Sequence, residues 1–223
     1  MWWKKNKWKV IIPVMVIIIL ATAFWFGGNA PGTQGWEPSR PAESETPSQP
    51  AQPSEEVSRD SYLTDPVPEG MPDPVEPEDA VVSDTAYICT ISISCAAILD
   101  NLDYCDPAKV ELIPEDGWIL EPVTVTFYEG ESVFNVLQRT CKQNKIHLEF
   151  VDTAIYNSAY IEGIANIYEF DVGELSGWRY SVNGWFPNYG SSRYQLQDGD
   201  VIQWVYTCDL GNDIGASDFG VSD

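Results

Sequence analysis

The sequence has few basic residues and almost no histidine. It holds 12 lysines and arginines against 34 aspartates and glutamates, which gives a formal net charge of -22, and its one histidine is His147. That charge would repel the phosphates of a nucleic acid, which excludes this class of partner. With one histidine and no Cys-X-X-Cys spacing, neither a histidine-dependent triad nor a dithiol motif is available. We therefore expect a protein that is not an enzyme.

The sequence also lacks the long acidic loop of a calcium site. Its C-terminal acids are Asp198, Asp200, Asp209 and Asp213. An Asp-Gly-Asp sequence between strand-forming residues is typical of a turn and needs no metal. We expect no metal site here.

The N-terminus combines a basic segment with an uncharged apolar run. Residues 1–9 are lysine-rich, and residues 10–26 carry no charge. About 17 apolar residues span roughly 25 Å as a helix, at the short end of what a bilayer needs. The lysines predict a cytoplasmic N-terminus and export of everything after Phe26. Residues 21–23, Ala-Thr-Ala, resemble a signal-peptidase site, but the run continues beyond them, which favours an uncleaved single-pass anchor.

Residues 27–83 are rich in proline, glutamate, serine and glutamine. Such a segment cannot bury enough apolar surface to offset the entropy of ordering, so we predict a disordered linker. Fully extended, its ~55 residues would reach roughly 170 Å. This stalk would hold the following domain outside the cell membrane, through or beyond a wall of the Gram-positive type.

Residues 84–215 are long enough for one hydrophobic core, with residues 216–223 as a disordered tail. Tyr87–Ser94 and Val123–Tyr128 alternate like half-buried strands and predict an antiparallel pair. Ser132 can cap a helix ending near Asn144, and His147–Val151 predicts the next strand. The expected fold is α+β, with a mixed β-grasp-like sheet packed on one helix. The buried face of that helix would carry Val133, Val136, Leu137 and Thr140.

The C-terminal part predicts two more strands, Trp178–Val182 and Val201–Thr207. Asn183-Gly184 is a strong signal for a tight turn after the first of them. The intervening loop, residues 185–194, carries four large aromatics among proline, asparagine and glycine. These rings either pack on the domain or form a platform for a ligand.

Three segments together resemble the bacterial domain family DUF4430. They are Gly163–Phe170, Ser176–Gly190 and Tyr194–Gly211. That family is similar to the C-terminal β-domain of transcobalamin and intrinsic factor. The resemblance implies a β-grasp-like binding domain whose leading ligand class is cobalamin or a related corrinoid. The animal carriers add a helical domain that this chain lacks, so a partner such as a transporter subunit is expected.

The resemblance also suggests which residues would contact the ligand. We nominate aromatic and amide side chains of the turn, its flanking strand and the loop, while Trp204 is expected in the core. The nominated residues are Trp178, Tyr180, Asn183, Trp185, Phe186, Asn188, Tyr189 and Tyr194.

The resemblance bears on the five cysteines as well. Parallel first and last strands of a β-grasp sheet would bring Cys95 near Cys208 and favour a bridge between them. Cys105 and Cys141 depart from the family pattern and are expected to pair, closing a loop of roughly 36 residues and contributing about 3 to 4 kcal/mol. Cys89 would stay free.

Two functions remain open at this level. One is a membrane-tethered module that captures a corrinoid for an uptake system. The other is a cell-surface interaction or adhesion module that binds a protein or a wall polymer through the same aromatic residues.

Overall fold

The computed structural model describes residues 59–216. The predicted cytoplasmic segment 1–9, anchor 10–26, linker residues 27–58 and tail residues 217–223 lie outside this range. Within residues 59–216, no helix is both long and apolar enough to cross a bilayer.

The described residues contain one α-helix, α1, and seven strands. Four short 3-10 helices lie in the connections. The bounds are β1 Ala86–Ser94, β2 Trp118–Tyr128, α1 Val133–Asn144, β3 Leu148–Thr153, β4 Ser158–Ile164, β5 Ile167–Tyr168, β6 Gly177–Val182 and β7 Val201–Thr207.

The larger sheet is mixed and has the order β2-β1-β7-β6. The predicted antiparallel pairing of β1 with β2 is confirmed, with Cys89 opposite Val125. The first and last strands, β1 and β7, pair in parallel at the centre, as a β-grasp-like arrangement requires. The smaller sheet, β3-β4-β5, is antiparallel. One α-helix with one mixed and one antiparallel sheet confirms the α+β class.

Helix α1 begins where the sequence predicts. The Ser132 hydroxyl accepts a hydrogen bond from the backbone N–H of Asn135, and the Asn135 side chain accepts from the N–H of Ser132, a reciprocal cap. Lys145, with φ of 58°, ends the helix in the left-handed conformation. The four residues predicted for its buried face, Val133, Val136, Leu137 and Thr140, are at most 1% exposed.

The main core lies between α1 and the sheets. It joins the helix to Ile91 of β1, Phe127 of β2 and Ile202 of β7, each fully buried. A smaller cluster forms at the far end of β1 around Cys95, Ile98 and Tyr206. Burial of apolar side chains in such clusters is the main favourable contribution to the stability of a small domain.

The last part of the predicted linker lies against this domain. Residues 59–83 are described, and Ser83 donates its backbone N–H to the carbonyl of Glu129. Val67 packs against the main core. We call residues 59–79 the strap. The domain therefore extends further toward the N-terminus than the composition of residues 27–83 suggests, because residues of this segment pack against the core and form hydrogen bonds with the domain.

A cleft beneath the strap

The structure gathers four of the nominated aromatics into one cluster with Trp204. Ring centroids lie 6.1 Å apart for Tyr189 and Tyr194, 6.3 Å for Trp185 and Tyr194, and 5.5 Å for Tyr180 and Trp204. Tyr180, Tyr189 and Tyr194 are only 8%, 6% and 3% exposed. Tyr189 and Tyr194, the two loop residues among these three, therefore pack on the domain and do not form an exposed platform for a ligand.

The hydroxyl groups of this cluster also have internal partners. Tyr180 donates to the carbonyl of Tyr189 at 2.8 Å, and Tyr189 donates to the carbonyl of Pro72 in the strap at 2.7 Å. Burial raises the pKa of Tyr194 to about 12, so this phenol is neutral at physiological pH. The cluster is a hydrogen-bonded part of the core that the strap helps to complete.

Asn183 has a structural explanation. Its φ of 53° and that of Gly184, 82°, form the predicted turn, and Val182 bridges to Trp185 across it. The Asn183 amide donates to Asp200 at 2.8 Å and accepts the backbone N–H of Val201 at 2.9 Å. Its side chain therefore ties the turn to the start of β7.

Trp178 stands apart from the aromatic cluster. Its ring meets Tyr206 edge-on at 5.2 Å, and its indole N–H donates to the carbonyl of Ile167 at 2.9 Å. Phe186 is half-buried, like Trp185 and Asn188. Seven of the eight nominated residues are thus divided between a core cluster, a turn and the wall of a cleft, and Phe186 belongs to none of these groups.

A cleft of about 370 Å³ lies beside the aromatic cluster, and we call it the strap cleft. Strap residues 62–65 form one wall, β4 and the preceding turn form the second, and β6 with the aromatic loop forms the third. Its volume is within the usual range for small-molecule sites. The nominated residues that line it are Trp178, Tyr180, Asn188 and Tyr189.

Sequence reasoning missed the exposed apolar residues that line this cleft. Leu63, Tyr156 and Tyr160 are 53%, 53% and 46% exposed. Leu63 has a φ of 61°, which is uncommon for a bulky residue. The available signal was a pair of large apolar residues, Ile155 and Tyr156, in the turn between two strands. Their spacing fits a hairpin, but nothing local shows which side they face.

Two polar atoms in the residues lining this cleft have no hydrogen-bond partner. In the described part of the chain, Asn188 Oδ1 and Trp204 Nε1 are the buried side-chain atoms in this condition. The Asn188 amide nitrogen donates to the carbonyl of Asp65 at 3.0 Å, which leaves its oxygen as the unpaired acceptor. An unpaired buried donor or acceptor destabilises the fold by about 1–3 kcal/mol.

Arg193 holds the strap in place. Its guanidinium donates to Asp60, Glu76 and Thr64, each at 2.6 Å, and lies 5.1 Å from the centre of the Tyr62 ring. The Arg193 residue is 1% exposed. A buried guanidinium requires such complete pairing, because desolvation of an unpaired charge costs several kcal/mol.

Asp60 is adapted to this partner. Burial acts to raise its pKa, but hydrogen bonds from Arg193 and from the backbone N–H groups of Thr64 and Tyr62 outweigh that effect and lower it to about 2. The same carboxylate therefore closes the tight turn of residues 60–64 and neutralises the buried arginine.

A second, larger cleft of about 570 Å³ lies at the other end of the strap. It is bounded by the N-terminal end of α1, the turn between β3 and β4, and residues 77–82. None of the nominated residues lines it.

The predicted disulfides are not present, and all five cysteines are free thiols. Cys141 is buried in the main core and Cys105 in the smaller cluster, so the two cysteines of the second expected bridge do not share a cluster. Cys95 and Cys208 do share the smaller cluster, but they are unbonded. Burial raises the pKa of Cys95 to about 11 and that of Cys208 to about 12, so both are protonated at neutral pH and weakly nucleophilic.

The predicted Asp198-Gly199-Asp200 turn is present, and the acidic side chains accept backbone hydrogen bonds. Asp198 accepts the backbone N–H of Ile88, Asp200 accepts that of Gln197, and Asp213 accepts that of Cys208. Residues 59–216 contain no group of three or more potential ligands arranged to hold a metal ion.

Comparison with known proteins agrees with the family resemblance. Residues 130–208 match the family model described as "Domain of unknown function (DUF4430)", which confirms that resemblance over this segment. None of the curated proteins compared with the chain matches it.

Two solved structures are similar to the chain at low identity. One is haptocorrin in complex with Cbi, with a TM-score of 0.41 and 14% identity, covering 57% of this chain and 26% of that chain. The other is a "putative metal binding protein" from Ruminococcus gnavus ATCC 29149, with a TM-score of 0.34 and 13% identity, covering 54% of this chain and 96% of that chain. The chain thus spans about a quarter of the haptocorrin chain. At this level of similarity neither structure assigns a ligand.

Proposed function

We propose that residues 84–215 form a β-grasp-like ligand-binding module that captures cobalamin or a related corrinoid at the strap cleft. The predicted anchor would present this module on the outer face of the cell membrane, for delivery to an uptake system. The role is binding, with no catalytic step. The corrinoid class comes from the sequence resemblance, and the position of the site comes from the cleft.

The observation that carries the proposal is the exposed aromatic lining of the strap cleft. Tyr156 and Tyr160 offer rings to the solvent next to the half-buried Trp178 and Asn188. A corrinoid has a broad apolar ring system with carboxamide groups at its edge, which suits aromatic surfaces beside amide groups. A cleft of about 370 Å³ would hold one edge of such a molecule and leave the rest accessible to a partner.

This proposal relocates the contact surface within the same region. The buried rings of Tyr180, Tyr189 and Tyr194 would support the site, while Tyr156 and Tyr160 would touch the ligand. Because the buried aromatic cluster is rigid, it keeps the exposed side chains in position and reduces the conformational entropy that they lose on binding.

Titration of the chain with hydroxocobalamin and cobinamide, followed by tryptophan fluorescence, tests the proposal. We expect saturable quenching, and a fall in affinity of about tenfold when Tyr160 is replaced by alanine, because an aromatic contact contributes about 1 kcal/mol or more. Tyr104→Ala is the matched control, since Tyr104 is 75% exposed and does not line the cleft. Absence of binding at millimolar concentrations of both corrinoids would exclude the proposal.

A surface interaction module is the second candidate. Ile155 and Tyr156 are 63% and 53% exposed in the turn between β3 and β4, and paired exposed apolar residues of this kind favour protein contacts. Purified wall polymer and candidate surface proteins can be tested for binding to the wild type and to Ile155→Ser. Loss of such binding in this variant, together with failure of the corrinoid titration, would favour the second candidate.

A further inference from the structure

The strap forms a wall of the cleft without being part of either sheet. Residues 62–65 line the strap cleft, and residues 59–83 form no strand. Strap residues Pro66, Pro68, Pro72, Pro74 and Pro77 have no backbone N–H to donate to a sheet, and the strap's turns are closed by hydrogen bonds within the strap, such as that from Asp60 N–H to the carbonyl of Thr64. Such a segment can leave the domain as a unit, because no sheet ladder must be broken.

Most contacts of the strap converge on the aromatic loop, and Asn157 in the turn between β3 and β4 adds hydrogen bonds to Glu76 at 2.7 Å and to Glu78 at 2.9 Å. Val75 donates its backbone N–H to the carbonyl of Arg193 at 2.9 Å. The carbonyls of Asp65 and Pro72 accept from Asn188 at 3.0 Å and Tyr189 at 2.7 Å. Within residues 59–216, the ion pairs between the strap and the rest of the domain are those of Arg193 with Asp60 and Glu76, which we call the latch.

The latch is asymmetric in its exposure. The Arg193 side chain is 2% exposed, whereas those of Asp60 and Glu76 are 34% and 22% exposed. The strap carboxylates can therefore be hydrated readily when they leave, and the cationic partner stays with the domain. Charge-assisted hydrogen bonds are stronger than neutral ones, so these two residues carry a large part of the strap's attachment.

The closed position leaves polar groups unsatisfied. Asn188 Oδ1 and Trp204 Nε1 are sealed from solvent without partners, and Asn188 is itself tied to the strap through Asp65. Release of the strap would let Asn188 turn toward water or toward a ligand. The closed form therefore contains a local cost that opening would relieve.

We infer that the strap is a releasable wall of the strap cleft, latched by Arg193 to Asp60 and Glu76, and that its release widens the cleft and speeds ligand entry. The effect of strap release on ligand entry rests on the proposed function, whereas the release itself does not. The latch sets the open fraction, and the apparent association rate of a ligand scales with that fraction.

Hydrogen exchange of the full chain in detergent tests the release. The latch variant is Asp60→Asn combined with Glu76→Gln, which leaves Arg193 and the domain unchanged. The Val75 amide is the reporter, because its acceptor is the backbone carbonyl of Arg193. The control is Glu69→Gln combined with Asp73→Asn, which removes the same charge from exposed positions of the strap.

We expect the Val75 amide to exchange about tenfold faster or more in the latch variant and at the wild-type rate in the control, because both ion pairs of Arg193 with the strap are lost. The amides of the β1–β7 pairing should be unchanged in both. Equal exchange of Val75 in the latch variant and the wild type would overturn the latch.

Stopped-flow binding of hydroxocobalamin tests the regulation separately. The association rate should rise in the latch variant by a factor similar to that of the exchange rate. Faster exchange with an unchanged association rate would overturn the role of the strap in ligand entry. Absence of binding to every form would exclude the proposed function, while the exchange result would still decide whether the strap is latched.

Discussion

The aromatic loop, residues 185–194, and the strap, residues 59–79, both differ from what their compositions suggest. The loop carries four large aromatics and looks like an exposed surface, but two of them, Tyr189 and Tyr194, are only 6% and 3% exposed. The strap is acidic and proline-rich and looks disordered, but it lies on the domain. Composition indicates how much conformational entropy a segment loses on ordering. Whether contacts offset that loss depends on the residues that the segment meets in the folded domain.

One residue joins the two regions. Arg193 belongs to the loop, yet its buried guanidinium requires acidic partners, and the strap supplies Asp60 and Glu76. In return, the strap carbonyl of Pro72 accepts the hydroxyl of Tyr189. Each region therefore satisfies polar groups that the other could not bury alone.

The largest expected effect tests the loop as part of the core. Replacement of Tyr194 by alanine should lower the free energy of unfolding by about 3–5 kcal/mol, because its ring contacts three other aromatic residues and is almost fully buried. Urea denaturation measures the change. Tyr104→Ala, at a position 75% exposed, should change stability by less than about 0.5 kcal/mol. A loss as small for Tyr194 would show that the ring is not part of the core.

A smaller effect tests the bond between the two regions. Arg193→Gln should lower the free energy of unfolding by about 2–3 kcal/mol, since it removes the charged bonds to Asp60 and Glu76. Arg59→Gln is the control, because the ion pair of Arg59 with Asp65 is 57% and 48% exposed and contributes about 0.5 kcal/mol or less. If both variants lower the free energy of unfolding by the same amount, the contacts of Arg193 with the strap do not stabilise the domain.

The smallest effect is the response of the strap to acid. The folded pKa of Asp60, about 2, lies below the ordinary value of 3.8. Its contribution is therefore complete above pH 3.8 and is lost as the pH falls through about 2. The amide resonances of Tyr62 and Thr64, whose N–H groups donate to Asp60, should titrate with a midpoint near 2. A midpoint near 3.8 would place Asp60 in solvent, away from Arg193.

Local patterns were sufficient for most of the fold. Alternation predicted β1 and the C-terminal part of β2, and the Ser132 cap with its four apolar-face residues predicted α1. Asn183-Gly184 predicted the turn because few other pairs tolerate two successive positive φ angles. These features depend on neighbouring residues, so a single sequence reveals them.

The site required long-range information. Tyr156 and Tyr160 line the strap cleft only because β4 lies opposite the loop and the strap, more than 20 residues away in either direction along the chain. The cysteines show the same limit, since Cys105 and Cys141, expected to pair, belong to different apolar clusters. Neither arrangement follows from spacing in the sequence.

The sequence by itself determined the α+β class, the start of the helix, the tight turn and the acidic character of the chain, because each depends on local sterics or on summed charge. The tertiary structure alone decided which aromatic rings are buried, which remain at the cleft, and that part of the predicted linker forms one of its walls. Those outcomes depend on a buried arginine meeting carboxylates more than 100 residues away along the chain, and only the folded chain brings them together.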